Sequence, residues 1–338
     1  MRSPTADLSS LPLIIDVDTG IDDSLALLYA CASPDADIVA VTCVSGNVAA
    51  QQVARNTLGL LELAGRSDVE VALGREVPLV RPLMIAPETH GPQGVGYATL
   101  AEPSRPPSQR HAADLIIAEA ARRPGELTLV TLGPLTNLAV ALQRDPELPK
   151  LLRGLVMMAG SYRSAGNTAP TTEWNVAVDP EAMQAVLAGW AAHPDVPRPI
   201  ALGLDVTERA KMTPDHVAAL HQRAGVPPDA PLLTFIDDAL RFYMEFHSRY
   251  DGFYGAFIHD ALAVAAALDP SLIRTESLAV QVELGGTLTT GETVTDWRRV
   301  WGRELNLDVA VQADVETFFE RFIDRVGMLA AASRNVAS

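Results

Sequence analysis

The chain has 338 residues, of which 48% are hydrophobic and 20% charged, and its formal net charge is −16. This composition can bury a large core, which excludes a disordered or fibrous protein. The acidic balance, with Lys150 and Lys211 as the only lysines, argues against a nucleic-acid partner because phosphate binding depends on clustered Lys and Arg. Since no secretory signal and no apolar run of about 18 residues is evident, we expect a cytoplasmic protein without a membrane partner.

Apolar runs of strand length alternate with helical patterns through the first 207 residues. In chain order we predict strands at LPLIIDV, DIVAVTCV, VEVAL, LTLVTL, LRGLVMMAG and PIALGLDV, with helices from about Asp22, over about 47–63, near 112–122, after Pro134 and after Pro180. Continuous apolar strands of this kind are typical of a parallel sheet with helices on both faces. We therefore predict an α/β fold with an open, mostly parallel, Rossmann-like sheet, whose ligand site lies beyond the carboxyl ends of the strands.

Longer stretches interrupt this alternation. Residues 75–110 contain seven prolines and the sequence THGPQGVGY, which is too long and too rich in Pro and Gly for a simple connection. Residues 213–248 are helical and amphipathic in pattern, and 249–257 (RYDGFYGAF) have the composition of a mobile flap. Because we find neither a repeat nor a low-complexity linker, we predict one domain over residues 1–338. It carries inserted active-site loops and a flexible N-terminus over residues 1–10.

Four aspartates fall within DVDTGIDDSLALL, between the first predicted strand and the first predicted helix. A helix N-terminus favours one or two acidic residues, such as Asp22 or Asp23. It does not account for Asp16 and Asp18 as well, because four converging carboxylates repel one another unless a cation or protons neutralise them. Oxygen-only donors suit the hard cations Ca²⁺ and Mg²⁺. The cluster alone leaves two interpretations open, a metal site and a solvated charge run.

An Asp-x-Asp pair after a strand also resembles the Mg²⁺-dependent phosphatases of the haloacid-dehalogenase type, which use the pair as nucleophile and acid. In that pattern a Thr or Val stands four residues after the first Asp, where this chain has Gly20. We also find no convincing basic residue for the phosphate in the later sequence. We keep such a phosphatase as an alternative.

The whole stretch resembles the N-terminal signature of the nucleoside hydrolases, Asp-x-Asp-x-Gly-x-Asp-Asp after a strand, and further segments of that family's site recur in order. They are VSGN ending at Asn47, THGPQGVG with His90, TLGPLTNLA (131–139), GNTAPTTEWNVAVDPEA (166–182), LDVT (204–207), IHDALAVA from Ile258, and TGETVTDW near the C-terminus. The resemblance covers residues 13–326 except 213–257. It implies an enzyme that hydrolyses the N-glycosidic bond of ribonucleosides to free base and ribose, and that assembles as a homodimer or homotetramer.

The resemblance also implies a Ca²⁺ cofactor. Its carboxylate ligands would be Asp18, Asp23 and Asp260, and the backbone carbonyl of Leu132 would complete the protein ligands. N-glycosidic hydrolysis passes through an oxocarbenium-like transition state and needs a water delivered to C1′. A bound cation lowers the pKa of its water, and an adjacent carboxylate can take the proton. Asp18 is the predicted base.

Ribose recognition, by the same resemblance, falls to polar side chains. Asp22 would bind the 2′-OH, Asn175 the 2′ and 3′ side, and Asn167 with Glu173 the 5′-OH. Asn47 would lie near the same rim. Asn and carboxylate side chains suit this task because each sugar hydroxyl both donates and accepts a hydrogen bond. Asn167 could instead be a turn residue and Asn47 a helix cap.

On the base side, His259 precedes the predicted ligand Asp260, where many family members have a His that contacts or protonates the leaving base, and the resemblance makes His259 the second predicted catalytic residue beside Asp18. Purine-specific members have an aromatic residue there instead. This favours the inosine-uridine or pyrimidine-preferring type. His90 resembles a second base-side histidine, and Met158 either touches the substrate or fills the core. Trp174, where the family more often has Phe, belongs to the same predicted substrate site.

The other five histidines match no motif, and we interpret them as surface or helix residues: His111, His193, His216, His221 and His247. A rival of another class is a non-catalytic nucleoside or ribose binder that retains this pocket. All the predicted catalytic carboxylates are present, which argues against it.

Overall fold

A computed structural model describes residues 10–333. The flexible N-terminus predicted over residues 1–10 lies, except for Ser10, outside the described residues. The strands are β1 (Leu11–Val17), β2 (Ala36–Cys43), β3 (Glu70–Leu73), β4 (Thr128–Thr131), β5 (Gly154–Met158), β6 (Ile200–Leu202), β7 (Lys211–Met212), β8 (Ala256–Phe257), β9 (Ile273–Leu278), β10 (Val280–Val282), β11 (Thr293–Thr295) and β12 (Leu307–Ala313).

Helices connect most of these strands, with one 3₁₀ helix at Pro270–Leu272. The α-helices are α1 (Ile21–Ala32), α2 (Ala50–Leu63), α3 (Pro87–His90), α4 (Ala112–Arg122), α5 (Thr136–Arg144), α6 (Leu148–Leu151), α7 (Trp174–Val178), α8 (Pro180–Ala191), α9 (Leu204–Thr207), α10 (Pro214–Ala224), α11 (Pro231–Tyr250), α12 (His259–Leu268) and α13 (Val315–Ser333).

Eight strands form the main sheet in the order β3-β2-β1-β4-β5-β6-β12-β9. Every neighbouring pair is parallel except β12 and β9, which run antiparallel at one edge. In the middle of the sheet, Ile15 of β1 is in register with Val41 of β2 and Val130 of β4. The predicted α/β fold with a mostly parallel, Rossmann-like sheet flanked by helices is confirmed.

Alternate side chains of the central strand pack into two separate cores. Leu13, Ile15 and Val17 of β1 belong to one buried cluster, and Ile14 belongs to the other. Because successive side chains of a strand point to opposite faces of the sheet, a strand that is apolar at every position is buried on both faces. Within residues 10–333, no helix is both long and apolar enough to cross a membrane.

Two predicted elements differ from the structure near the carboxyl edge of the sheet. The helix predicted from residue 47 begins at Ala50, because the backbone of Ala49 is extended (φ −62°, ψ 144°); in the preceding loop the Asn47 N–H donates to Asp18 Oδ2 at 2.8 Å. The strand predicted at PIALGLDV ends at Leu202, and LDVT forms the short helix α9 after Gly203. Both changes place irregular backbone where the sheet ends.

The region that the resemblance does not cover consists mostly of helix. Residues 213–248 form α10 and most of α11, as the amphipathic pattern predicts. The predicted flap over 249–257 holds the end of α11 and strand β8, which pairs antiparallel with β7. Its mobility stays a prediction.

Candidate active site

A cavity of about 570 Å³ lies at the carboxyl ends of the central parallel strands. Asp18 follows β1, Leu132 follows β4, and Met158 ends β5, and all three line the cavity. This is where a ligand site is expected in an open α/β sheet. The volume is that of a small-molecule pocket.

The structure brings the predicted site residues together. Those that line the cavity are Asp18, Asp22, Asn47, His90, Leu132, Met158, Asn167, Glu173, Trp174, Asn175, His259 and Asp260. Asp23 is the remaining predicted site residue. It does not line the cavity, but its carboxylate belongs to a buried acidic cluster with Asp22 and Asp260. Seven segments that are distant in the sequence therefore meet at one edge of the sheet.

Four carboxylates, of Asp18, Asp22, Asp23 and Asp260, are buried at the floor of this cavity. Oxygens of Asp22, Asp23 and Asp260 all lie within 4.8 Å of one another. The predicted ligand Asp18 is adjacent, and its carboxylate raises the pKa of Asp260. Among residues 10–333, no Lys or Arg forms an ion pair with any of the four.

The tight strand-to-helix joint places Asp18 and Asp23. Asp23 Oδ1 accepts the Asp18 N–H at 3.1 Å, and its Oδ2 accepts the Gly20 N–H at 2.8 Å. A Cβ at Gly20 would lie 2.6 Å from Asn47 Nδ2 and 2.7 Å from His90 Nδ1. A larger residue at Gly20 would therefore displace the Asn47 amide or the His90 ring, both of which line the cavity.

Burial raises the pKa of every carboxyl in the cluster. Desolvation together with the neighbouring charge of Asp23 raises the pKa of Asp22 to about 8. The pKa values of Asp18 and Asp260 lie well above their usual range for the same reasons, and burial also raises that of Asp23. Buried like charges without a basic partner call for protons or a cation. The donors are all oxygens, so this buried acidic cluster could hold a metal ion.

Asp16 is the remaining aspartate of the motif, and it does not line the cavity. Its Oδ1 accepts hydrogen bonds from the Thr42 hydroxyl and from Asn137 Nδ2, the latter at 2.8 Å. Within residues 10–333 its Oδ2 is buried without a hydrogen-bond partner, and desolvation raises the pKa of Asp16 to about 7. Asp16 therefore fixes the end of β1 through its hydrogen bonds to Thr42 and Asn137, and it does not contact a ligand.

The opposite wall is built around Glu173, which caps helix α7. Glu173 Oε1 accepts the Asn175 N–H at 2.7 Å, and Oε2 accepts the Gly160 N–H at 2.9 Å. Asn175 Nδ2 then donates to the carbonyls of Leu132 (2.7 Å) and Met158 (3.0 Å). These contacts hold the Leu132 carbonyl, a predicted metal ligand, and Asn175 on the same side of the cavity.

Asn167 and Trp174 form the outer part of this wall. Asn167 Oδ1 accepts the Trp174 N–H at 2.9 Å, so Asn167 also has the turn role that its sequence context allowed. Trp174 lines the cavity with an indole Nε1 that is buried and without a partner within residues 10–333.

Two predicted histidines, His90 and His259, line the cavity. His90 Nδ1 accepts the Ile21 N–H at 3.1 Å, and His259 Nδ1 is 2.8 Å from the Thr207 hydroxyl. Desolvation lowers the pKa of each ring to about 3. Both rings are thus neutral at pH 7.

His247 was interpreted as a surface or helix residue, and the surface interpretation is wrong. It lies on α11, its side chain is 5% exposed, and it lines the cavity. Burial of its helix face follows from the packing of α11, which the sequence around it did not reveal. The available signal was the i, i+4 pair His247 and Asp251, together with Tyr243 one turn earlier.

The fold and the site define an α/β enzyme with an acidic, oxygen-lined pocket for a small polar molecule, at the carboxyl edge of a parallel sheet. The chain belongs to the inosine-uridine preferring nucleoside hydrolase family, whose model matches residues 13–320. This confirms the predicted family, an enzyme class that cleaves the N-glycosidic bond of ribonucleosides. It excludes the phosphatase alternative.

Individual relatives match over nearly the whole chain. Uridine nucleosidase 1 of Arabidopsis thaliana is 35% identical over 91% of this chain and 90% of that protein. The pyrimidine-specific ribonucleoside hydrolase RihA of Citrobacter koseri is 35% identical over 95% of this chain and 100% of that protein. The solved structure of a purine-preferring ribonucleoside hydrolase from Gardnerella vaginalis has a TM-score of 0.87 at 30% identity, covering 95% of this chain and 99% of that one.

Proposed function

We propose that the chain is a Ca²⁺-dependent ribonucleoside hydrolase, in which Asp18, Asp23, Asp260 and the carbonyl of Leu132 hold the ion. The observation that carries this proposal is the buried carboxylate cluster, which has no Lys or Arg partner among the described residues and forms the floor of a ligand-sized cavity. A donor set made only of oxygens favours Ca²⁺ over softer metals.

Asp18 is the proposed general base. When bound, the ion would supply positive charge that favours the ionised carboxylates and lowers the pKa of a water beside Asp18. Asp18 Oδ2 accepts the Asn47 N–H at 2.8 Å, which fixes the carboxylate at the strand end. It takes the proton of the water whose oxygen attacks C1′. The other carboxylates stabilise the positive charge that develops on the ribosyl group.

Side chains around the floor would bind the ribose hydroxyls. Asp22 is assigned to the 2′-OH, Asn175 to the 2′ and 3′ side, and Glu173 with Asn167 to the 5′-OH. Their support is that all four line the same cavity and that three are buried. Asn47 lies at the same rim, where its Nδ2 donates to Asp23 Oδ2 at 3.2 Å.

The base would lie between the histidines and the outer wall. His259 and His90 are proposed to contact it as neutral hydrogen-bonding rings, with Met158 and Trp174 on the other side. The inosine-uridine or pyrimidine-preferring type is supported by His259, by the family and by two relatives named for uridine or pyrimidine substrates. Homodimeric or homotetrameric assembly and a cytoplasmic location stay predictions.

Metal content and turnover together test the proposal. Protein dialysed against Ca²⁺ and desalted should retain about one ion per chain by elemental analysis, and a strong chelator should remove both the ion and the release of base from inosine and uridine. Asp18→Asn should abolish base release, whereas the exposed control Asp195→Asn should not change it. Tight binding of ribose or inosine by calorimetry without turnover would favour the non-catalytic binder.

A further inference from the structure

Aromatic rings and three histidines enclose the part of the cavity next to the acidic floor. Tyr243 lies between His90 and His247, with ring centroids 5.5 and 4.6 Å away. Phe257 lies between His247 and His259, with ring centroids 4.7 and 5.7 Å away. The three histidine rings thus surround one aromatic compartment, which is the part of the cavity suited to a planar base.

His247 differs from the other two in having a carboxylate partner. His247 Nδ1 is 2.7 Å from Asp251 Oδ2, one helical turn further along at the end of α11. The nearest carboxylate to the His90 ring belongs to Asp22, at 4.0 Å, and His259 pairs with a hydroxyl. A carboxylate beside an imidazole favours the protonated ring and holds the proton of Nδ1 in the neutral one.

The other ring nitrogen of His247, Nε2, is not paired with Asp251. Nε2 is buried and has no hydrogen-bond partner within residues 10–333, and the residue lines the cavity. A buried imidazole nitrogen without a partner costs free energy unless a ligand or water satisfies it. The pairing of Nδ1 with Asp251 therefore leaves Nε2 as the ring nitrogen that can carry a second proton.

We propose that His247 is a catalytic residue that donates the Nε2 proton to the leaving base, with Asp251 as its positioning residue; this rests on the proposed hydrolase function. The bond from C1′ to the base nitrogen breaks, and its electron pair leaves with the base. The base takes the proton of His247, water oxygen bonds to C1′, and Asp18 takes the proton of that water. Solvent then returns a proton to His247 and removes one from Asp18.

The proposal predicts a pH dependence that Asp251 controls. Burial and the charge of Lys211 lower the pKa of His247, whereas Asp251 raises it. The titratable groups around the ring are Asp251 and Tyr243 from α11, Lys211 from β7, His90 from α3 and His259 from α12. Removing the charge of Asp251 should therefore lower the pH at which the acid form, and with it kcat/KM, is lost.

The test compares natural nucleosides with p-nitrophenyl riboside, whose leaving group needs no proton. His247→Gln should lower kcat/KM for uridine and inosine about 10²-fold, and change p-nitrophenyl riboside less than about threefold. Asp251→Asn should cause a smaller loss with the same selectivity and move the alkaline limb of kcat/KM to lower pH. The matched control is His221→Gln, which breaks a comparable pair with Asp237 (2.8 Å) outside the cavity and should change neither substrate.

Other results would overturn the inference. Equal losses on both kinds of substrate would mean that His247 only supports the fold, and undiminished turnover of nucleosides would mean that it has no role. If His247→Gln does not fold, an unmoved pH profile in Asp251→Asn is sufficient to overturn it. Each of these leaves the hydrolase function intact, whereas a wild-type protein that releases no base would overturn both.

Discussion

The metal-free chain should lose stability as the pH rises from 5 to 7. Asp22 has an ordinary pKa of 3.8 that burial and the charge of Asp23 raise to about 8 in the folded state. Between these two values the folded state binds more protons than the unfolded state, so the free energy of unfolding falls with rising pH. The pKa of Asp16 rises to about 7 in the folded state, so Asp16 also lowers the free energy of unfolding as the pH rises.

The magnitude follows from the proton linkage. One carboxyl that stays protonated only in the folded state costs about 1.4 kcal/mol per pH unit, or about 3 kcal/mol over two units. Unfolding entropy of about 2.1 cal/mol/K per residue gives about 0.7 kcal/mol/K for 338 residues. Asp22 alone should therefore lower the Tm by about 4 °C between pH 5 and pH 7.

Calcium should reverse this trend. At a free concentration about a thousandfold above Kd, the ion stabilises the folded state by about 4 kcal/mol, which corresponds to a rise in Tm of about 6 °C. Since protons compete with the ion for the carboxylates, this rise should be larger at pH 7 than at pH 5.

Scanning calorimetry of chelator-treated protein, with and without added Ca²⁺ at pH 5, 6, 7 and 8, measures both effects. Asp22→Asn should flatten the slope of the metal-free protein, and the exposed control Asp195→Asn should leave it unchanged. A metal-free Tm that rises from pH 5 to pH 7, or a Tm that Ca²⁺ does not change, would refute the reasoning from buried charge.

Two further substitutions separate the roles within the aspartate motif. Asp22→Asn should lower kcat/KM for a ribonucleoside at least tenfold more than for its 2′-deoxy analogue, since Asp22 is assigned to the 2′-OH; equal losses in a paired assay would contradict that role. Asp16→Asn should raise the Tm at pH 8 and leave it nearly unchanged at pH 5, because the substitution removes a buried charge. The amide oxygen of the variant can still accept hydrogen bonds from Thr42 and Asn137. A lower Tm at pH 8 than wild type would contradict this.

Much of the fold follows from local sequence pattern. The buried strands β1, β2, β4 and β5 are continuous apolar runs, and α4 begins and ends where its pattern predicts. The position of β12 between β6 and β9 could not be predicted, because its pairing with β6 joins segments more than 100 residues apart and leaves no periodic signal. The loop before α2 is held by a hydrogen bond from the Asn47 N–H to Asp18, which is also a long-range contact that local pattern does not reveal.

The candidate site also has a part that the sequence predicts and a part that it does not. Residues within the ordered motifs, such as Asp18, Asn175 and Asp260, line one cavity as the resemblance implies. His247 was missed because no motif marks it and its burial depends on how α11 packs against the rest of the chain. The side of the cavity where the base is proposed to lie is thus the part that sequence predicts least.

Release of base by wild-type protein and by Asp18→Asn is the most direct test of the proposed mechanism. With Ca²⁺ present, we predict that wild type converts uridine or inosine to free base and ribose in equal amounts. The Asp18→Asn variant should still bind Ca²⁺ or ribose but lose at least about 10³-fold in kcat. An Asp18→Asn variant with wild-type turnover, or a wild-type protein that remains fully active after its metal is removed, would contradict the mechanism.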